Sequence, residues 1–98
     1  MAIKTKAWDV AEHLDTPEAI AAYLEAAFDD GDPALISAVI GDVARAYGMT
    51  QLARETGLSR ESLYRALSEG GNPSFSTVLK ILRIFGVRLE ARQMETAA

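Results

Sequence analysis

Residues 49 to 68 constrain this chain more than any other stretch, because they read as two short helices forced to meet at a glycine corner. A first helix starting near Thr50, with the Thr oxygen serving its orphan amides, runs to Gly57, where the chain needs the positive φ that glycine adopts without steric cost. Ala53 lies four residues before the corner, on the face that meets the second helix. A larger side chain there holds the two helices apart. Leu58 plugs the corner and Ser59 caps the second helix. Leu52, Leu63, Ala66 and Leu67 form an inner apolar seam, while Ser59, Arg60, Glu61, Ser62, Tyr64, Arg65 and Ser68 face outward. This is the outline of a helix-turn-helix over residues 50–68, the device that lays a helix in the DNA major groove. A plain αα-hairpin uses the same small Ala and turn Gly. Arg60 and Arg65 favour the nucleic-acid reading, since arginine suits guanine edges and phosphates.

The net charge of −4 looks unfavourable for such a role until the chain is divided. Residues 1–48 carry three bases against nine acids (−6), and residues 49–98 carry seven bases against five acids (+2). A basic half for phosphates beside an acidic half is compatible with DNA binding, and the acidic half suits a basic protein partner or simply water.

The 98 residues predict a single domain with a modest core, and 49% hydrophobic content argues against disorder. The sequence contains no cysteine, so disulfides and thiol nucleophiles are excluded. No apolar stretch of signal-peptide or membrane-spanning length occurs, and a cytoplasmic location without membrane contact is expected. His13 is expected at the surface rather than as a catalyst or ligand. Ser59 and Ser62 have no histidine near them in sequence, and no phosphate-cradling glycine loop or carboxylate pair stands out. The expectation is a non-enzyme with no catalytic residues, no cofactor and no metal.

Helix signals fill most of the remainder. Thr16-Pro17-Glu18 is a start with cap, N1 proline and first-turn acid, followed by Ile20, Tyr23, Leu24, Ala27 and Phe28 and closed by Gly31. Asp32-Pro33 repeats that start, with Leu35, Ile36, Val39, Ile40, Val43 and Tyr47 as the stripe and Gly48 as the stop. Gly41 inside this helix costs about 1 kcal/mol relative to alanine, which points to a close helix crossing. Ser68 to Pro73 is a loop by composition, Ser76 is the expected cap of a last helix bearing Val78, Leu79, Ile81, Leu82 and Phe85, and Gly86 ends it. Val87 to Arg92 alternates apolar and charged residues, predicting a short β-strand that needs a partner strand, from a second copy or another protein. A frayed helical end is the other reading. The expected organisation is an N-terminal arm over 1–15, one helical domain over 16–92 and a mobile tail over 93–98. Within the arm, Trp8 either folds back on the core or awaits a partner.

Over nearly its full length the chain resembles the addiction-module antidote proteins, small helix-turn-helix antitoxins of type II toxin–antitoxin pairs. The resemblance is carried by Trp8-Asp9, Glu12 to Leu14, Tyr23-Leu24, Gly31-Asp32-Pro33 and Gly48-Met49-Thr50. Its most specific pieces are Gly57-Leu58-Ser59-Arg60-Glu61-Ser62-Leu63-Tyr64 and Asn72-Pro73-Ser74-Phe75. It implies an all-α fold of about five helices in a lambda-repressor-like bundle with the short C-terminal strand. It also implies an antitoxin that binds a basic RelE-like ribonuclease toxin and, as a homodimer, represses the shared operon at operator DNA. Ser59, Arg60, Glu61, Ser62, Tyr64 and Arg65 are then the DNA-binding candidates, in two recognition helices about 34 Å apart. One departure stands out: Thr50-Gln51 abuts Leu52-Ala53, whereas many phage-repressor-like proteins carry Thr-Gln two residues earlier. A phosphate contact therefore does not transfer to Gln51. A stand-alone regulator, or an interaction module without DNA binding, are the alternatives.

Overall fold

A computed structural model describes residues 14–68 and 70–95. The expectations for Trp8 and His13, and for the tail beyond residue 95, fall outside those residues. The described residues form five α-helices: α1 (Pro17–Asp30), α2 (Pro33–Tyr47), α3 (Met49–Thr56), α4 (Arg60–Ala66) and α5 (Phe75–Phe85). The all-α expectation holds.

The first two helices begin as their sequences dictate. Thr16 Oγ1 accepts the Ala19 amide at 3.1 Å and Asp32 Oδ1 accepts the Ala34 amide at 3.1 Å, each with proline filling the next position. Gly31 closes α1 in the left-handed region, returning its N–H to the Ala27 carbonyl. α1 and α2 pack as neighbours, and α3 touches α2, α4 and α5, which makes this eight-residue helix the hub of the bundle. Leu24, Ile40, Leu52, Leu63, Leu67, Ile81 and Leu82 are essentially sealed from water, so every helix contributes to one core. No buried side-chain polar atom among the described residues lacks a partner.

Gly41 is where the crossing is tightest. A Cβ placed there would lie 2.6 Å from the Leu67 carbonyl oxygen, just past α4. The interior glycine therefore lets the end of α4 rest on the backbone of α2.

Three details differ from the sequence reading. The helix expected to start near Thr50 with the Thr oxygen as its cap begins at Met49, and its cap position is Gly48 at φ +115°, with no side-chain cap. Only this one residue separates α2 from α3, so the turn is made by glycine backbone and Thr50 already lies inside the helix. The last helix is capped by Ser74 rather than Ser76. Ser74 is extended (ψ 158°) and its Oγ accepts the Thr77 amide at 3.1 Å, so the helix starts at Phe75. Finally, the strand expected over Val87–Arg92 is not formed. These residues run without regular structure, because no other segment of the described chain offers a strand for them to pair with.

Candidate nucleic-acid interface

The geometry of the corner follows its sequence. Gly57 sits at φ +78° and donates to the Ala53 carbonyl at 2.9 Å, ending α3. The Thr56 hydroxyl accepts the Leu58 amide at 3.3 Å while bonding back to the Leu52 carbonyl, which pins the turn from inside. Ser59 Oγ accepts the Ser62 amide at 3.0 Å and starts α4. Leu58 is half-buried against the core, and Ala53 is buried at the junction.

The seven-residue α4 is divided sharply by its helical period. Leu63 inside it and Leu67 at its C-cap are each 1% exposed, whereas Ser59, Arg60, Glu61, Ser62, Tyr64, Arg65 and Ser68 all face solvent. The candidate side chains therefore share the free surface around this helix. Arg60 is held over the Tyr64 ring, 5.4 Å from its centroid, and donates to the Tyr64 hydroxyl at 3.3 Å. Among the described residues, neither Arg60 nor Arg65 is paired with a carboxylate. Both guanidiniums keep donors available for an anionic or guanine-like acceptor.

Beside Arg65 lies an open depression of about 420 Å³, lined by Ser62, Arg65, Ala66, Ser68, Gly70, Gly71 and Asn72. Its wall exists because the loop comes against the carbonyls at the end of α4. A Cβ on Gly71 would collide with the Ala66 carbonyl oxygen and would lie 2.6 Å from the Arg65 oxygen. Gly70, Gly71 and Asn72 were not among the sequence-derived candidates. The Asn72-Pro73-Ser74-Phe75 string was a signal for this loop, but its approach to α4 is a tertiary fact. Phe75 is also more exposed than an aromatic helix-start residue needs, at 69%, and shares a helix face with exposed Leu79.

On α3, Gln51 is engaged within the chain. Its amide donates to Glu55 Oε2 at 3.1 Å and to the Tyr47 hydroxyl at 3.5 Å, and the Tyr47 hydroxyl donates to Glu55. The hydrogen bond from Tyr47, then that from Gln51, hold the Glu55 carboxyl below its usual range. The same bond, with burial secondary, raises the Tyr47 phenol. Gln51 thus has a structural occupation, in keeping with the displaced Thr-Gln pair.

The described residues bring no three potential metal ligands together, and none of their helices is long and apolar enough to cross a membrane.

Residues 4–93 match a family model described as a probable addiction module antidote protein. A Haemophilus influenzae protein described only as uncharacterized is 42% identical over 97 residues, covering 99% of this chain and 100% of that protein. No solved structure matches the chain.

Proposed function

Because the chain belongs to the family of probable addiction module antidote proteins, whose antidote role implies a toxin partner, we propose that it neutralises a RelE-like ribonuclease toxin by direct binding and represses their shared operon by sequence-specific operator binding. The active form is a homodimer, presenting two copies of α4 about one helical turn of DNA apart, on the order of 34 Å. The observation that carries the DNA half of this reading is the division of α4. Its leucine side locks it to the bundle, and its arginine side is exposed and, among the described residues, makes no ion pair.

Arg60 and Arg65 are assigned to base edges, where a guanidinium can span guanine O6 and N7. Tyr64 takes a positioning role: it accepts from Arg60 and retains its own hydroxyl proton for a phosphate. Ser59 and Ser62 lie at the start of the helix, suited to backbone contacts, and Glu61 beside them suits an exocyclic amine such as that of cytosine. The toxin half rests on charge. Glu18, Glu25, Asp29, Asp30 and Asp32 are exposed on and around α1, a surface that suits a basic partner.

The test combines operator footprinting with co-purification. Arg60→Ala and Arg65→Ala should each weaken operator binding by about 1–3 kcal/mol and relax the base preference at one position, leaving toxin capture intact. A footprint on upstream DNA unchanged by both substitutions would refute the assignment. Failure of the adjacent gene product to co-elute with this chain would refute the toxin half separately.

A further inference from the structure

The segment after α5 keeps more unmet bonding capacity than a connecting loop requires. The Val87 amide closes onto the Leu82 carbonyl at 2.9 Å and its side chain packs on the core. Beyond it, no backbone hydrogen bond among the described residues involves Arg88 to Met94. Leu89 and Met94 stand 39% and 71% exposed. The charged residues of the alternation pair only along the chain, Arg88 with Glu90 at 3.5 Å and Arg92 with Glu90 at 3.7 Å, in water. Next to the segment lies an open depression of about 610 Å³ that includes Leu79, Leu82 and Val87, with Lys80, Arg83, Gly86 and Arg88 completing its lining.

We propose that this segment forms the dimer contact by pairing antiparallel with the same segment of a second copy, with the two-fold axis at Leu89. The inference rests on the homodimeric reading above and adds the surface and the register. Symmetry leaves only the centre to choose, and charge chooses it. Centred on Leu89, Arg88 lies opposite Glu90 of the partner subunit, and symmetry makes that pair twice. Leu89 then meets Leu89 of the partner subunit, and Val87 meets Ala91 of the partner subunit. Centring on Glu90 sets glutamate against glutamate and Arg88 against Arg92 of the partner subunit. Centring on Arg88 opposes two arginines. Centring on Ala91 restores two attractive pairs but faces Leu89 with Gln93 and Arg88 with Met94, so apolar and polar residues are mismatched. A centre between two residues places the apolar face against the charged one.

The Leu89 register also explains the depression. It carries the partner's chain past Gly86 to the end of α5, where Leu79, Leu82 and Val87 can receive Met94 of the partner subunit. Lys80 and Arg83 then lie near Glu95 of the partner subunit. Opposite charges and opposite vacancies coincide.

Sedimentation equilibrium on the full chain, without DNA or toxin, tests the register. Arg88→Glu alone and Glu90→Arg alone each set like charges opposite one another twice, and should weaken the dimer about tenfold. The double exchange should restore it, whereas at an Ala91 centre it leaves like charges facing Arg92. The native sequence has no cysteine, so Leu89→Cys should oxidise to a covalent dimer, its two copies falling about 4.5–5.5 Å apart at Cα. Ala91→Cys, displaced from its own copy in this register, should not. Both sites are exposed, and circular dichroism verifies that the helices are retained. A monomer at all accessible concentrations, a double exchange that stays weak, or cross-linking at Ala91→Cys instead of Leu89→Cys overturns the proposal. A wild-type dimer that cross-links as expected but shifts no operator would leave this contact standing and remove the repressor reading alone.

Discussion

Gly41→Ala sets two effects of opposite sign against each other. Alanine in a helix interior is worth about 1 kcal/mol more than glycine, so on propensity alone the substitution stabilises α2. The added methyl, however, would arrive 2.6 Å from the Leu67 carbonyl oxygen and 3.1 Å from an Arg45 guanidinium nitrogen. Arg45 is exposed and can swing away. Leu67 cannot: its side chain is 1% exposed, and its amide closes α4 onto the Leu63 carbonyl at 2.9 Å. A comfortable carbon–oxygen contact is about 3.3–3.6 Å, so the two backbones must separate by about 1 Å. Overpacking of that kind costs about 1–3 kcal/mol. The clash cancels or outweighs the propensity gain, leaving a net loss of about 0–2 kcal/mol and a Tm lower by up to about 16 °C for a domain of this size. Thermal and urea unfolding followed by circular dichroism read this directly. Operator affinity should fall as well, since the displaced end of α4 carries Arg65. A Tm that rises by several degrees would mean that propensity acts unopposed, and the close crossing of α2 and α4 would have to be abandoned.

Ser59→Ala removes the acceptor for the Ser62 amide and should lower stability by about 1 kcal/mol in urea titrations, while Ser59→Asp should keep the cap yet weaken operator binding by adding a negative charge beside the arginines. The Tyr23 phenol is pushed up to about 12, first by burial and then by its 2.8 Å bond to Asp42. The folded chain therefore holds this proton more tightly than the unfolded one, and the associated stability is present below pH 10 and lost between about pH 10 and 12. Tyr23→Phe should flatten that part of the wild-type profile and cost about 1 kcal/mol at neutral pH. A mutant with an unchanged alkaline profile would show that the phenol is not held this way.

What could be read from the sequence, and what could not, divides by the range of the interaction involved. Thr16-Pro17, Asp32-Pro33, Gly31, Gly57 and Gly86 mark helix ends because capping and positive φ are settled within a few residues. The outward face of α4 was legible for the same reason, since the helical period that turns Leu63 inward turns Arg60, Tyr64 and Arg65 outward. Ser74 and Ser76 were both chemically able to cap α5. The choice fell to which of them remains extended after Pro73, and that depends on how the loop seats against α4. The loop depression, the Tyr23–Asp42 bond across two helices and the engagement of Gln51 by Tyr47 and Glu55 likewise require the assembled bundle. Val87–Arg92 is the limiting case: its alternation was visible, but a strand is completed only by a partner, and the described chain supplies none.

This division explains how a small bundle can separate holding a helix from using it. α3 packs on α4, and Leu52, Ala53, Leu63 and Leu67 are all buried, while Arg60, Tyr64 and Arg65 on the outward side of α4 stay exposed. A solvated Arg60 or Arg65 adds little to folding stability, because exposed charges are worth only fractions of a kcal/mol. Substitutions on that face should therefore change recognition while leaving the unfolding curve nearly in place, and substitutions at Gly41 or Ser59 should change both. Stability and operator affinity measured on the same variants thus separate a grooved-DNA role for α4 from a purely structural one. Were Arg60→Ala to unfold the bundle as readily as a core truncation, the outward face would belong to the fold, and its assignment to DNA would lose its footing.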